Sequence, residues 1–209
     1  MIRILIADDH PIVRKGLRQI LADTRDIVVG GEAVDGAQVL QQVRAEKWDV
    51  LVLDLNMPEP SGLDLIKSLV SEFPHVPILI LSMYPEDQFA VRVLKAGASG
   101  YLTKDSAPEL LVTAIRKVFA GGKYISSATA EAMAFELQGK RGELSTALSD
   151  REFQVLRMMA SGKTVSIIAT DMGLSVKTIS TYRARLLEKL HLKNNAELVR
   201  YAIEKNLAN

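Results

Sequence analysis

The chain has 209 residues and a mass of 23.0 kDa, a length that suits two small domains. Its 48% hydrophobic and 24% charged residues exclude a disordered or collagen-like protein, and the absence of cysteine excludes disulfides and thiolate zinc sites. The formal net charge of +1 excludes a uniformly basic nucleic-acid binder. Apolar runs too short for a bilayer and a start without signal-peptide features lead us to expect a cytoplasmic protein with no membrane partner.

Short apolar runs alternate with segments of helical period over the first 123 residues. Their hydrophobicity is unbroken, which is typical of strands covered on both faces of a parallel sheet. Five strands alternating with five helices predict a doubly wound α/β domain, and the flavodoxin-like strand order is 2-1-3-4-5. The predicted strands are 4–6, 27–29, 50–53, 78–81 and 100–102.

The last sixty residues of the chain are predicted to form helices only. Residues 124–147 are predicted to be a linker with one short helix over 126–137, and 148–209 a domain of four short helices. Ser149 and Glu152 have the spacing of a capping box at the first of these helices. Gly173 ends the second helix, and Ser175 is a suitable N-cap for the third, which runs to about residue 190.

Charged and polar side chains follow the predicted strands of the sheet. Asp8 and Asp9 come after the first strand and Asp54 after the third, while Ser82 closes the fourth and Lys104 follows the fifth. In the 2-1-3-4-5 order the first and third strands are neighbours, so their acids converge at the carboxyl edge, where such sheets bind ligands. Any single one of these aspartates is more simply read as a helix cap.

Converging carboxylates repel one another and favour a shared cation. An all-oxygen site suits Mg²⁺, which would orient a phosphoryl group for attack by one carboxylate. Lys104 would offset charge on the phosphoryl oxygens, and the Ser82 hydroxyl could donate to one of them.

The segments 6–10, 53–58 with Gly62, and 97–104 resemble the receiver domain of response regulators, over about residues 1–123. The resemblance implies that Asp54 is phosphorylated by a sensor histidine kinase or phosphotransfer protein. It also implies Mg²⁺ held by Asp9, Asp54 and the backbone carbonyl of Asn56, supported by Asp8, and a switch pair of Ser82 and Tyr101.

Two residues near these motifs need separate comment. Asp105 stands where many receivers have proline, a departure that leaves the site chemistry intact. His10 could contact the site or ligate a metal, but a solvated loop residue is the simpler interpretation.

The charge is unevenly divided along the chain. Residues 1–123 carry −2 and residues 124–209 carry +3, and the segment 175–193 has five basic residues against one acidic. The third C-terminal helix would turn Ile179, Tyr182, Leu186 and Leu190 inward and its basic and small side chains outward. Such a face suits the DNA major groove, although a solvated basic face is common on a lone helix.

Residues 146–209 resemble the LuxR-type helix-turn-helix domain, in the segments 148–156, 161–162 and 175–179 and in Leu190, Asn194 and 197–198. The whole chain therefore resembles a NarL/FixJ-type response regulator. The segment 165–167 departs from the Asn-Lys-Glu that is usual in the family. The resemblance implies DNA contacts from the recognition helix by Lys177, Thr178, Ser180, Thr181, Arg183, Ala184 and Arg185.

The resemblance also implies a mechanism and partners. Phosphorylation would promote a homodimer that binds double-stranded operator DNA to regulate transcription, with RNA polymerase as a further candidate partner. The last helix is the candidate dimer contact through Ala196, Val199, Arg200 and Ile203, although packing on its own domain could use some of these residues.

Two other functions remain open on the sequence alone. An aspartyl phosphohydrolase would usually place a general acid two residues after the nucleophile, where this chain has Asn56. The helix-turn-helix could alternatively bind RNA or protein. We expect a regulator that assists only its own Mg²⁺-dependent phosphorylation and dephosphorylation and is not an enzyme.

Overall fold

A computed structural model describes residues 1–57, 62–84, 86–106, 108–137, 148–205 and 207. The chain divides into two compact units, Met1–Gly139 and Lys140–Asn209. Residues 138–147 of the predicted linker lie outside the described residues, so its polar stretch 139–142 stays a prediction. Among the described helices, none is both long enough and apolar enough to cross a membrane.

The N-terminal unit is built on a five-stranded sheet in which every neighbouring pair is parallel. The strand order is β2-β1-β3-β4-β5, which confirms the predicted fold class. The second strand lies on one side of β1, and the later strands are added on the other side, beginning with β3. This change in the direction of strand order leaves a crevice at the carboxyl ends of β1 and β3. The strands are β1 (Ile2–Ala7), β2 (Ile27–Ala33), β3 (Val50–Leu53), β4 (Ile78–Ser82) and β5 (Gly100–Thr103).

Burial follows the position of each strand in the sheet. All residues of β3 and β4 are buried, as unbroken apolar runs predict for central strands. At the edge, β2 is only partly covered, and Val28 is exposed. An apolar run in the sequence does not show whether a strand lies at the centre or at an edge.

Five helices cover the sheet and a sixth follows. On α5, Leu111, Ala114, Ile115 and Val118 are buried, which confirms the helical face read from the sequence. The sixth helix begins within one residue of its predicted start. The helices are α1 (Pro11–Ala22), α2 (Gly36–Ala45), α3 (Gly62–Glu72), α4 (Glu86–Lys95), α5 (Pro108–Phe119) and α6 (Ser127–Leu137).

Within its described residues the C-terminal unit has four helices: α7 (Asp150–Ala160), α8 (Val165–Asp171), α9 (Val176–Lys189) and α10 (Asn195–Glu204). The capping box of α7 is present, with the Glu152 N–H donating to Ser149 Oγ and the Ser149 N–H donating to Glu152 Oε2. Gly173 adopts a φ of 60° between α8 and α9, a left-handed conformation that glycine accepts without strain. The Thr178 N–H donates to Ser175 Oγ at 3.1 Å, which caps α9 as predicted.

Candidate functional site

The carboxyl ends of β1 and β3 lie side by side and bring their acidic residues together. Ala7 pairs with Leu53 in the ladder, and the next backbone N–H, of Asp54, donates to the Ala7 carbonyl oxygen at 2.8 Å. Asp8 and Asp54 are therefore the first residues beyond the last paired residues of their two strands. Both are buried, whereas Asp9 is partly exposed.

Lys104 reaches from the end of β5 into this acidic group. Its Nζ lies 2.6 Å from Asp8 Oδ2 and 2.9 Å from Asp54 Oδ2, and its side chain is only 7% exposed. The Lys104 backbone N–H donates to the Ser82 carbonyl oxygen at 2.7 Å, because Ser82 and Thr103 are paired at the ends of their strands. The ladder thus positions the lysine from the neighbouring strand.

The predicted switch residues lie on the same side of the sheet. Ser82 is fully buried at the end of β4, and its Oγ accepts a hydrogen bond from the Tyr84 N–H at 3.2 Å. The Tyr101 ring is buried, and its hydroxyl donates to the Tyr84 carbonyl oxygen at 2.8 Å. The segment after β4 is therefore bonded to both residues of the predicted switch pair.

Burial and charge shift two pKa values in this site. Burial raises the pKa of Asp54 above its usual range, and this effect outweighs the opposing one of the Lys104 ammonium. Burial also acts to lower the pKa of Lys104, but its hydrogen bonds and charge interactions with Asp8 and Asp54 are stronger, so the net pKa of the lysine is raised. Lys104 therefore stays protonated, and Asp54 carries its charge at an energetic cost.

The donor atoms fit a hard divalent cation. Asp8, Asp9, His10 and Asp54 each offer one atom, and these atoms lie within 4.8 Å of one another. Asp54 Oδ1 is buried and accepts no hydrogen bond from the described residues, so it has lone pairs to offer a cation. Three carboxylates and the Lys104 ammonium sum to a formal charge of −2, which Mg²⁺ would neutralise.

Three further contacts surround the acidic residues, and the sequence raised only the one of His10, as an alternative to a solvated loop residue. The His10 ring is exposed as expected for a loop residue, yet its Nδ1 lies 2.7 Å from Asp9 Oδ1. The Asn56 side-chain amide donates to the Tyr84 hydroxyl at 2.9 Å, so this side chain turns toward the segment after β4. Arg14 donates from α1 to the Asp8 carbonyl oxygen at 2.7 Å.

In the C-terminal unit, α9 presents a polar face to solvent. Ile179 and Leu186 are fully buried, and Tyr182 and Leu190 are partly buried, which agrees with the predicted inward stripe. Most of the predicted DNA contacts are exposed, and Thr178 and Arg183 are partly buried. The exposed ones are Lys177, Ser180, Thr181, Ala184 and Arg185.

Arg183 and α10 show how the same unit is held together. Arg183 Nε donates to Asn195 Oδ1 at the start of α10. Leu198 and Ala202 are the buried residues of α10. Of its candidate dimer contacts, Val199 is partly buried, and the exposed ones are Ala196, Arg200 and Ile203.

Two family models match the chain, one in each unit. The model described as "Response regulator receiver domain" matches residues 4–116, and the model described as "Bacterial regulatory proteins, luxR family" matches residues 146–202. The chain belongs to the response regulators. Within them it is a NarL/FixJ-type protein with a LuxR-type DNA-binding domain.

Relatives of this response regulator align along almost its whole length. "Response regulator UvrY" of Escherichia coli is 37% identical, and the alignment covers 100% of this chain and 97% of the relative. "Response regulator GacA" of Pseudomonas aeruginosa is 38% identical, and the alignment covers 97% of this chain and 96% of the relative. Among solved structures, RcsB from Salmonella enterica serovar Typhimurium, bound to promoter rprA with the phosphomimetic BeF3-, is 30% identical with a TM-score of 0.76. The match covers 96% of this chain and 97% of that one.

These matches establish the class of activity. The response regulator is a DNA-binding transcription regulator of a two-component system. A receiver joined to a DNA-binding domain is the organisation of a transcription regulator, and it favours that function over the phosphohydrolase considered above.

Proposed function

We propose that Asp54 accepts a phosphoryl group from a phosphohistidine on a sensor kinase or phosphotransfer protein, and that this controls dimerisation and operator binding. The observation that carries the proposal is the contact of Lys104 with both Asp8 and Asp54. A buried ammonium held 2.9 Å from the candidate nucleophile is placed to compensate the charge of a phosphoryl group that becomes attached to that oxygen.

The transfer uses groups that already surround Asp54. A carboxylate oxygen of Asp54 attacks phosphorus, a P–O bond forms, and the P–N bond to the donor imidazole breaks with its electron pair leaving on nitrogen. Lys104 then binds a phosphoryl oxygen, and the Ser82 hydroxyl turns from the Tyr84 N–H to donate to another.

Asp9, Asp54 and the Asn56 backbone carbonyl would hold Mg²⁺, with Asp8 in support. When bound, Mg²⁺ supplies positive charge that offsets the repulsion between an incoming anionic phosphoryl group and the three carboxylates. The unbonded Asp54 Oδ1 supports this assignment.

The output follows from a two-state receiver in which phosphorylation favours one state. In this proposal the favoured state dimerises through Ala196, Val199, Arg200 and Ile203, and Ile203 is 57% exposed on α10 as an apolar contact would require. The two recognition helices then bind a two-fold operator in cytoplasmic DNA, where RNA polymerase is a further partner.

Phosphotransfer is tested with acetyl phosphate and MgCl₂ on Asp54→Asn. The variant keeps the shape of the side chain but lacks the nucleophilic oxygen, so we expect no phosphoryl adduct by intact-mass spectrometry. Asp23→Asn, an exposed aspartate at the end of α1, is the matched control and should label like the unmodified protein. Full labelling of Asp54→Asn would show that the phosphoacceptor is a different residue.

DNA contacts are tested with Lys177→Ala and Arg185→Ala on a random-sequence duplex. Each variant removes one cation from the exposed face of α9, so the slope of log affinity against log salt should fall by about 1. Lys205→Ala, beyond the end of α10, is the control and should leave the slope unchanged. Unchanged slopes in both α9 variants would refute this surface, and preferential binding of single-stranded RNA would support the alternative output.

A further inference from the structure

The N-terminus of α6 is capped partly by its own residues. The Thr129 N–H donates to Ser126 Oγ at 3.1 Å, and the Ala130 N–H donates to the Ser126 carbonyl oxygen at 3.0 Å. Ser126 is therefore the N-cap residue, and Thr129 stands three positions later. In a complete capping box that later position holds Glu or Gln, whose side chain accepts from the N-cap N–H.

A residue of another helix completes this cap. Glu86, the first residue of α4, accepts the Ser126 backbone N–H at 3.0 Å through Oε1, and the same oxygen accepts the Thr129 hydroxyl at 2.8 Å. In α7 the equivalent role belongs to its own Glu152. The sequence of α6 thus lacks the acid that its cap needs, and α4 provides it. We call Glu86, Ser126 and Thr129 the α4–α6 cap.

The carboxylate of Glu86 lies at the N-termini of two helices at once. It begins α4 and accepts from the residues that begin α6, so the positive ends of both helix dipoles favour its charge. Thr129 is only 3% exposed, so its hydroxyl would be left in a poorly solvated place if Glu86 withdrew. Separating the two helix starts therefore has an energetic cost that an exposed contact would not have.

The α4–α6 cap is joined to the predicted switch through short stretches of chain. Glu86 is four residues after Ser82, and Tyr84 between them accepts the Tyr101 hydroxyl. The residues before α6 are bonded to β5, since the Tyr101 N–H donates to the Tyr124 carbonyl oxygen at 3.1 Å and the Tyr124 N–H donates to the Ser99 carbonyl oxygen at 2.9 Å. The start of α6 is thus bonded to α4, which follows the strand that carries Ser82, and the residues just before it are bonded to β5, which carries Tyr101.

We infer that Glu86 is a positioning residue that transmits the phosphorylation state of the receiver to α6. The inference rests on the proposed function of Asp54 and names the contact through which that site reaches the next element. A rearrangement of residues 82–86 must either move the start of α6 with it or break the two hydrogen bonds of Glu86. In both cases α6, the last described element before the C-terminal unit, differs between the two receiver states.

Thr129→Val and Glu86→Ala test the inference by hydrogen exchange with mass spectrometry. Thr129→Val keeps the shape of the buried side chain but removes the donor, and Glu86→Ala removes the acceptor. Without a phosphodonor we expect the amides of α6 to exchange about tenfold faster in both variants. Glu109→Ala is the matched control because Glu109 is an exposed acid in the first turn of α5.

The decisive comparison adds acetyl phosphate and MgCl₂. In the unmodified protein, exchange in α6 should change when Asp54 becomes labelled. In Thr129→Val and Glu86→Ala, Asp54 should label to the same extent while α6 no longer responds. A normal α6 response in both variants, or no response in fully labelled unmodified protein, would overturn the inference. Failure of the unmodified protein to label at Asp54 would instead count against the proposed phosphoacceptor, and the exchange rates without donor would still test the α4–α6 cap.

Discussion

Replacing Lys104 by methionine tests the electrostatic reasoning about the acidic site. The change keeps the length of the side chain and removes its charge. Lys104 Nζ contacts Asp8 Oδ2 at 2.6 Å and Asp54 Oδ2 at 2.9 Å, and both carboxylate side chains are only 2% exposed. Removing one partner from a buried ion pair leaves an uncompensated charge, which costs about 3–5 kcal/mol of unfolding free energy.

The loss should depend on pH in a defined direction. In the unmodified protein the pKa of Asp54 is already raised by burial, and Lys104 is the group that lowers it. Without the lysine the folded-state pKa of Asp54 rises further, so the folded variant retains its proton to higher pH than the unfolded chain does. The stability difference between the two proteins is therefore small near pH 4 and grows as pH rises above it.

Urea unfolding followed by Trp48 fluorescence measures this effect. Trp48 is the only tryptophan and is buried in the N-terminal unit, so its signal reports that unit alone. A loss of about 3 kcal/mol should lower the urea midpoint by about 1 M or more in EDTA at neutral pH. Lys15→Met, on the exposed face of α1, should change stability by no more than about 0.5 kcal/mol. A Lys104→Met midpoint close to that control, or a loss independent of pH, would refute the reasoning.

Two further predictions concern the metal and the second unit. Millimolar MgCl₂ should raise the melting temperature of the Trp48 transition in the unmodified protein but not in Asp9→Asn, which lacks one oxygen ligand; equal shifts in both would exclude Asp9 as a ligand. Ser175→Ala should lower the stability of the C-terminal unit by about 1 kcal/mol through loss of the α9 cap, as measured by circular dichroism, and leave the Trp48 transition unchanged. A lower Trp48 midpoint in Ser175→Ala would contradict the separation of the two units.

Local patterns in the sequence predict most of the fold. The apolar runs predict all five strands, and the spacing of Ser149 and Glu152 predicts a cap that the structure contains. Such signals work because periodicity and capping depend on residues within one turn or strand. The approach of Lys104 to Asp54 could also be foreseen, because parallel strands bring their carboxyl ends to one edge.

Contacts between residues that are distant in sequence could not be predicted in the same way. Glu86 caps a helix that begins 41 residues later, and the sequence of neither segment shows that the two come into contact. The side chain of Asn195 accepts a hydrogen bond from Arg183 because the start of α10 packs close to α9, which is a property of the packed unit. Side-chain partners of this kind depend on the geometry of packing and leave no periodic signal.

The hydrogen bonds of Tyr124 also affect how the sheet meets other molecules. A strand at the edge of a sheet offers unpaired N–H and C=O groups to any extended chain, which promotes aggregation. Tyr124 occupies such groups on Ser99 and Tyr101 and forms a parallel bridge with Gly100, so part of the outer side of β5 is already paired.

The opposite edge is protected in another way. Pairing of β1 with β2 is interrupted by a register shift between Ile4 and Leu5, and Glu32 on β2 is held at 2.9 Å by both Arg14 and Arg18. Irregular pairing and charge both discourage a further strand from adding to this edge. Strand addition is therefore disfavoured at both edges of this sheet, by a paired loop segment on β5 and by irregular pairing and bound charge on β2.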